Sequence, residues 1–379
     1  MIFSEPLFWV YCLLQFHIFV FLTNRIGIRP HHGVNEFLWT FFFLTVQISP
    51  SYLLADSWDF TWGSLPGLAW VWKLFLALVF LWVAALWVDH AWWLLFRKKP
   101  ATYREVRSHY PNRPSRWPAP FAFTRFVGFP NQCFDLKVVE YEVALPRWPR
   151  AFDGLTIVQL SDIHFGKYIH QDYVRFVVKE AQKLKADLFV LTGDFVSFTK
   201  HIAIMQGLLK GFKARLGVYA LLGNHDHWAG AHAMRQALEA DGIRVLQNEV
   251  VDLKVKGKRL ALMGVDDKWV GEKNDEPLLK AKGDAKILLA HQPDHLYLAH
   301  KTRANLQLSG HCHGGQICFP VLGPLVVPAN EGRKYAGGFH REKDTVIYIH
   351  RGIGCYPPLR TYCNPEVVRL TLRTDPKDL

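Results

Sequence analysis

From residue 155 onward the sequence repeats one arrangement: a short apolar run that stops abruptly on hard-to-bury polar groups. Residues 155–160, 188–192, 218–222, 260–263, 287–290 and 306–308 are such runs, and their lengths predict strands buried on both faces. Segments of helical period lie between several of them. Over 173–184 the side chains of Val174, Val177, Val178, Ala181 and Leu184 fall on one stripe, and 232–238 begins a second helix. Strand alternating with helix predicts an α/β fold in which reactive groups gather at the carboxyl ends of the strands.

The residues that follow each run carry the chemistry. Ser161, Asp162, Ile163 and His164 follow the first, Gly193 and Asp194 the second, and Gly223, Asn224, His225 and Asp226 the third. His291 follows the fifth, and Gly310, His311, Cys312 and His313 the sixth. In extended backbone residues i and i+2 point the same way, so Asp162 and His164 are expected to grip one ion, and His311 and His313 to reach one shared site. Imidazoles and carboxylates with one amide oxygen and no thiolate suit a borderline divalent cation. Two cations about 3.5–4 Å apart clamp a phosphoryl group and lower the pKa of a shared water. A lone Gly-Asp or His-x-His is usually a turn or a surface pair, but five such blocks at successive strand ends define a site.

The order Asp-x-His, Gly-Asp, Gly-Asn-His-Asp, His and Gly-His-x-His resembles the calcineurin-like metallophosphoesterases over residues 134–372. It is most similar to their membrane-anchored bacterial branch, through Gly-His-x-His-Gly-Gly-Gln at 310–316, Phe-Asp-Gly-Leu at 152–155 and Arg-Gly-Ile-Gly at 351–354. The resemblance implies a four-layer α/β metallophosphoesterase sandwich holding two divalent ions, Mn foremost, with Fe, Zn or Co as alternatives. It implies Asp162, His164 and His313 on the first ion, Asn224, His291 and His311 on the second, and Asp194 bridging both. His225 is expected to protonate the leaving group or steady the phosphorane-like transition state, with Asp226 holding its ring in the useful tautomer. Position 312 is Cys where relatives commonly carry threonine; it lies between ligands and is expected to face away. Arg333, Arg351 and Arg360 are expected to contact a substrate phosphate, with a solvent-facing salt bridge as the alternative.

The first quarter of the chain differs in kind. Three apolar runs, 6–23, 37–55 and 65–96, are each comparable with the ~20 residues a bilayer-spanning helix needs, so 1–96 is expected to be an α-helical transmembrane anchor. Lys73 and Asp89 in the third run leave the choice between two and three spans open. Arg25 and Arg29 lie between runs one and two, and Asp56 and Asp59 between two and three. Arg97, Lys98, Lys99, Arg104 and Arg107 follow the third, an alternation that orients the remainder of the chain into the cytoplasm. Residues 97–132 read as a basic, proline-rich linker without regular structure, lying on anionic headgroups, and 133–379 as the catalytic domain.

A net charge of +12 asks for an anionic partner without choosing among phosphate esters, lipid surfaces and nucleic acid. Much of that charge lies beside the third apolar run, which argues against a nucleic-acid groove. Six scattered cysteines with no Cys-x-x-Cys pair argue against a disulfide scaffold and a cysteine zinc finger. The expected function is dinuclear-metal hydrolysis of a phosphate ester or pyrophosphate in a membrane-associated, amphiphilic substrate at the bacterial inner membrane. The resemblance extends to the UDP-diacylglucosamine pyrophosphohydrolases of lipid A synthesis. A nuclease or generic phosphodiesterase is the second reading. A non-enzymatic anchored scaffold is the third, although a scaffold has no need of the full ligand set and His225.

Overall fold

The computed structural model describes Val88 and residues 101–110, 130–319, 323–324, 327–330, 332–356 and 358–376. The three predicted membrane runs lie outside the described residues, Val88 apart, and so does most of the predicted linker. Among the described residues no helix is long and apolar enough to cross a membrane.

In chain order the strands begin with β1 (Ala101–His109), β2 (Asp135–Leu145), β3 (Leu155–Leu160), β4 (Leu188–Thr192), β5 (Val218–Leu221) and β6 (Arg244–Val245). They continue with β7 (Glu249–Val255), β8 (Lys258–Gly264), β9 (Ala285–Leu289), β10 (Leu306–Ser309), β11 (Cys318–Phe319) and β12 (Gly323–Pro324), and end with β13 (Gly338–Glu342), β14 (Thr345–Ile349) and β15 (Glu366–Thr374). The α-helices are α1 (Gln171–Gln182), α2 (Ile202–Met205), α3 (Asn224–Ala240), α4 (Glu276–Leu279) and α5 (Leu296–Thr302). A seven-stranded sheet runs β1-β2-β15-β3-β4-β5-β6 and a six-stranded sheet runs β13-β14-β10-β9-β8-β7, with β11 and β12 as a separate pair. Both sheets are mixed: β3, β4, β5 and β6 are mutually parallel, as are β8, β9, β10 and β14, while each sheet also contains antiparallel pairs.

Burial explains the layering. Ile157, Leu188, Val190 and Leu221 of the first sheet face Leu260, Leu262, Ile287, Leu289, Leu306 and Leu308 of the second in one continuous core. The outer face of the first sheet packs on α1 and α3 through Val174, Val177, Ala181, Met234 and Leu238. On the outer face of the second, Met263 and Leu288 meet Leu278, Leu298 and Ala299. Strands apolar on both faces are what a sheet covered on both sides requires, and the order is helix, sheet, sheet, helix.

Every run expected to be a strand is one. Two expectations change. The segment 101–109, placed in an irregular linker, is a strand that pairs antiparallel with β2 from Ala101↔Val143 to His109↔Asp135. It contains no proline, since the dense run begins at Pro111, and it occupies the sheet edge. The second helix begins at Asn224 instead of 232, so Asn224, His225 and Asp226 form its first turn, with a break at Gly230, where φ is 130°.

Candidate metal centre

All seven predicted donors lie where strands end. Asp162 and His164 follow β3, Asp194 follows β4, Asn224 opens α3 after β5, His291 follows β9, and His311 and His313 follow β10. The route by which they converge differs from the expected extended backbone. Asp162, His164, Asp194, His311 and His313 all adopt left-handed backbone, with φ of 53°, 47°, 59°, 68° and 51°. Such a conformation disfavours side chains with a Cβ, and its recurrence here marks strain held by a functional loop set. Two glycines allow the close approach. A Cβ at Gly223 would overlap the Asp194 carboxylate, and one at Gly310 the Ser161 hydroxyl.

The donors form two groups that share one residue. Asp162, His164, Asp194 and His313 make the first, and Asp194, His291 and His311 the second. His164 Nε2 lies 2.9 Å from His313 Nε2 and 3.5 Å from Asp194 Oδ2, while His313 Nε2 is 3.5 Å from Asp162 Oδ1. In the second group His291 Nε2 is 3.3 Å from Asp194 Oδ2 and 3.2 Å from His311 Nδ1. Ligand atoms about 2.0–2.2 Å from a common cation sit roughly 3–3.5 Å from one another, which is the spacing found. Asn224 Oδ1 is buried without a hydrogen-bond partner, the state of an oxygen that a cation satisfies. These residues therefore fit a pair of divalent ions.

Neighbours fix which ring nitrogen points inward. His291 Nδ1 lies 2.6 Å from the Thr192 carbonyl, so it carries the proton and leaves Nε2 a lone pair. His164 Nδ1 lies 3.3 Å from Ser197 Oγ, with Nε2 turned to the donor group. Arg360 Nη2 lies 3.1 Å from His313 Nδ1. A guanidinium only donates, so Nδ1 accepts and Nε2 is the nitrogen turned toward the donor group.

Burial pushes His164 and His311 down to about 3 and His313 well below its ordinary value, which keeps their rings neutral and ready to ligate. Burial acts against a charged His291 as well, but the Asp194 carboxylate outweighs it and raises that ring to about 10. For Asp194 burial favours the neutral acid, and His291 and His225 overcome it, holding the carboxylate ionised. Asp162 is pushed up to about 7, by burial first.

Three predicted roles are relocated. Asp226 does not orient His225: both its oxygens are filled by backbone N–H groups, Oδ1 by Phe195 (2.8 Å) and Val196 (3.2 Å), Oδ2 by Asp194 (2.8 Å) and Gly223 (3.0 Å). It is a clamp on the loop that presents Asp194. Arg360 is fully buried and donates to the carbonyls of Gly354, His313 and Cys363, so it braces the His313 turn instead of meeting solvent or substrate. Arg351 is ion-paired with buried Glu366 at 2.9 Å. Arg333 sits half-buried on the turn Gly332–Tyr335. His225 lies beside the donors: its ring is edge-on to His164 at 4.7 Å, and its backbone N–H donates to Asp194 Oδ1 at 2.9 Å. Cys312 is buried against Val327, Ala329 and Ile347, facing away as expected.

Sequence reasoning missed the second tier. Ser197 and Thr192 carried no motif signal, although each touches a donor, and Gly354, part of Arg-Gly-Ile-Gly, had no role assigned; its N–H donates to the Asp162 carbonyl at 2.7 Å. Trp269 packs edge-on to His311 at 4.5 Å and Trp228 to His225 at 4.9 Å. The loop bearing Trp269 is tied to α3 by His227 Nε2 and Asp266 Oδ1, 2.9 Å apart. Burial lowers the pKa of His227, but its bond to Asp266 raises it further, while Asp266 is lowered by His227 against its own burial. The His227 contribution to stability is therefore full below about pH 6.5 and disappears as pH rises through its raised folded value. His227→Gln is expected to lower Tm by about 2–4 °C at pH 6 and by much less at pH 9. An equal drop at both values would reject the charged pair.

Residues 155–315 match the calcineurin-like phosphoesterase family. An uncharacterized metallophosphoesterase of Bacillus subtilis, YkuE, is 33% identical over 248 residues, 63% of this chain and 86% of that one. Phosphodiesterase YaeI of Escherichia coli is 29% identical over 221 residues, 57% and 81% of the two chains. A transmembrane protein with metallophosphoesterase domain from Danio rerio is 30% identical over 266 residues, 65% of this chain and 59% of its own.

Proposed function

The chain belongs to the calcineurin-like phosphoesterase family, and from that premise we propose that it hydrolyses a phosphate ester or pyrophosphate bond of an amphiphilic, membrane-associated molecule. It is a metal-dependent phosphoesterase. One observation carries the reading: two donor groups meet at a single carboxylate, Asp194. Asp162, His164, His313 and Asp194 would hold one ion, and Asp194, Asn224, His291 and His311 the other, with Mn as the first metal to test. When bound, such a pair supplies Lewis acidity and a water deprotonated near neutral pH.

The chain's own groups do the remainder. Asp226 and Ser197 keep the loops in register, and the Trp228 and Trp269 rings flank the donors. His225, half-buried beside His164, passes its proton to the departing oxygen. His225→Ala is expected to keep the fold and the bound metal while kcat falls roughly 10²–10⁴-fold on a substrate with a poor leaving group. A nitrophenolate leaving group, which needs no proton, should lose much less. Equal losses on both substrates would remove His225 from the acid role.

Membrane association is supported by the three apolar runs with their alternating flanks and by the relative whose name includes a transmembrane protein. The same flanks support a catalytic domain on the cytoplasmic side. Arg333 is the remaining candidate for a substrate phosphate. The test is a Mn-supplemented panel of UDP-diacylglucosamine, simpler nucleotide lipids, soluble phosphodiesters and single-stranded DNA. Preference for the lipids supports the reading, and preference for DNA replaces it with a nuclease.

A further inference from the structure

Three loops bonded to the first donor group adjoin one another. Phe165 pairs with Val196 in an isolated parallel bridge, which sets residues 165–170 beside 196–201. Phe198 then meets Tyr356, their ring centroids 5.9 Å apart. The first loop continues directly from His164, the second holds His164 through Ser197, and the third holds Asp162 through Gly354 and His313 through Arg360. Chains normally hide aromatic side chains of this size, yet Phe198 is 43% exposed, Tyr356 48% and Tyr362 49%. Lys167 and Lys200 on the same loops are exposed too.

These three loops carry no acids, in contrast to the segment after β8, where Glu272 and Glu276 are exposed. Residues 163–171, 195–225 and 345–365 contain no aspartate or glutamate. Of the carboxylates that adjoin these segments, Asp162, Asp194, Asp226 and Glu366 are buried, while Asp172 and Asp344 are exposed. Exposed aromatics interleaved with lysines and free of acids match the boundary of an anionic bilayer, where rings sit among headgroups and ammonium groups meet lipid phosphates. Another protein surface would ordinarily find mixed charge here.

We propose that Phe198, Tyr356 and Tyr362, with Lys167 and Lys200, seat these three loops on an anionic phospholipid bilayer, with the adjoining first donor group facing the headgroup layer. This rests on the reading of an amphiphilic phosphate substrate. It gives that reading a route, because the phosphorus to be attacked then arrives at headgroup depth without leaving the membrane.

Hydrogen exchange of the full chain tests it, in nanodiscs of phosphatidylcholine alone, in nanodiscs with about a third phosphatidylglycerol, and in detergent. Peptides covering 165–170, 196–204 and 354–363 should be protected with phosphatidylglycerol, and two lysines at the surface predict roughly a thirtyfold preference over neutral lipid. The pairs Phe198→Ser with Tyr356→Ser, and Lys167→Glu with Lys200→Glu, should each abolish that protection. All four side chains are exposed, so a melting temperature close to the parent's certifies the fold. Protection indifferent to lipid charge, or protection in detergent that grows with protein concentration and so marks a second copy, overturns the proposal. Turnover of soluble bis(p-nitrophenyl) phosphate with Mn, measured in parallel, separates the two readings. Turnover without lipid-dependent protection rejects the docking alone, and protection without any turnover rejects the hydrolase reading alone.

Discussion

Alanine at position 194 is expected to take hydrolysis to background, a loss of roughly 10⁴-fold or more, and to reduce bound metal from two ions per chain to at most one. The reason is geometric. Asp194 Oδ2 lies 3.5 Å from His164 Nε2 in one donor group and 3.3 Å from His291 Nε2 in the other, and its second oxygen receives the His225 N–H. Removing it leaves two cations without the anion that offsets their repulsion. It also removes the charge that raises His291 to about 10. Elemental analysis beside turnover of bis(p-nitrophenyl) phosphate checks both halves of the expectation. An alanine variant that keeps two ions, or measurable fractions of wild-type turnover, would falsify the shared-carboxylate arrangement.

Asp226→Asn, close to isosteric, is expected to be the most damaging conservative change in the domain. The carboxylate accepts four backbone N–H bonds, two on each oxygen. An amide offers one oxygen, and its NH₂ group faces two N–H donors it cannot accept from. Two buried donors left unpaired cost about 3 kcal/mol or more, which lowers Tm by roughly 6–12 °C. Because the donors belong to Asp194, Phe195, Val196 and Gly223, the ligand loop loosens with the fold, and metal affinity falls as well. An Asp226 whose task was the His225 tautomer would behave differently: kcat would fall while Tm and metal content stayed put. Calorimetry with metal titration of the single variant separates the two.

Six strands of the parallel cores were legible because burial on both faces leaves unbroken apolar runs, as at 155–160 and 188–192, although β14, also buried throughout, was not read. Strands β2 and β7 were not, since half of each faces solvent and Lys137, Glu140, Glu142, Asp252 and Lys254 interrupt the run. Donor identities were legible in the same way, as polar residues stranded at the ends of buried runs. Their backbone was not. Nothing in Asp-x-His or His-x-His announces left-handed dihedrals, which are imposed by the loops packed around them. The roles of Asp226, Arg351 and Arg360 misread for a related reason: a charged residue beside a motif is taken to face the chemistry, whereas these side chains are turned toward carbonyls, amides and Glu366.

Neither donor group is complete within one sheet. Asp162, His164 and Asp194 leave the first sheet, His313 leaves the second, and Asp194 joins His291 and His311 across the same gap. An ion bound by either group would thus rivet the seam between two halves that are otherwise held by interdigitated Leu, Ile and Val. A cation that binds only the assembled seam stabilises it by mass action, so chelation works as a wedge that primes the halves to part. Metal affinity then reports how well two distant stretches of sequence have docked, and a substitution deep in the shared core, such as Ile287→Ala, should be felt as weakened metal retention far from any ligand.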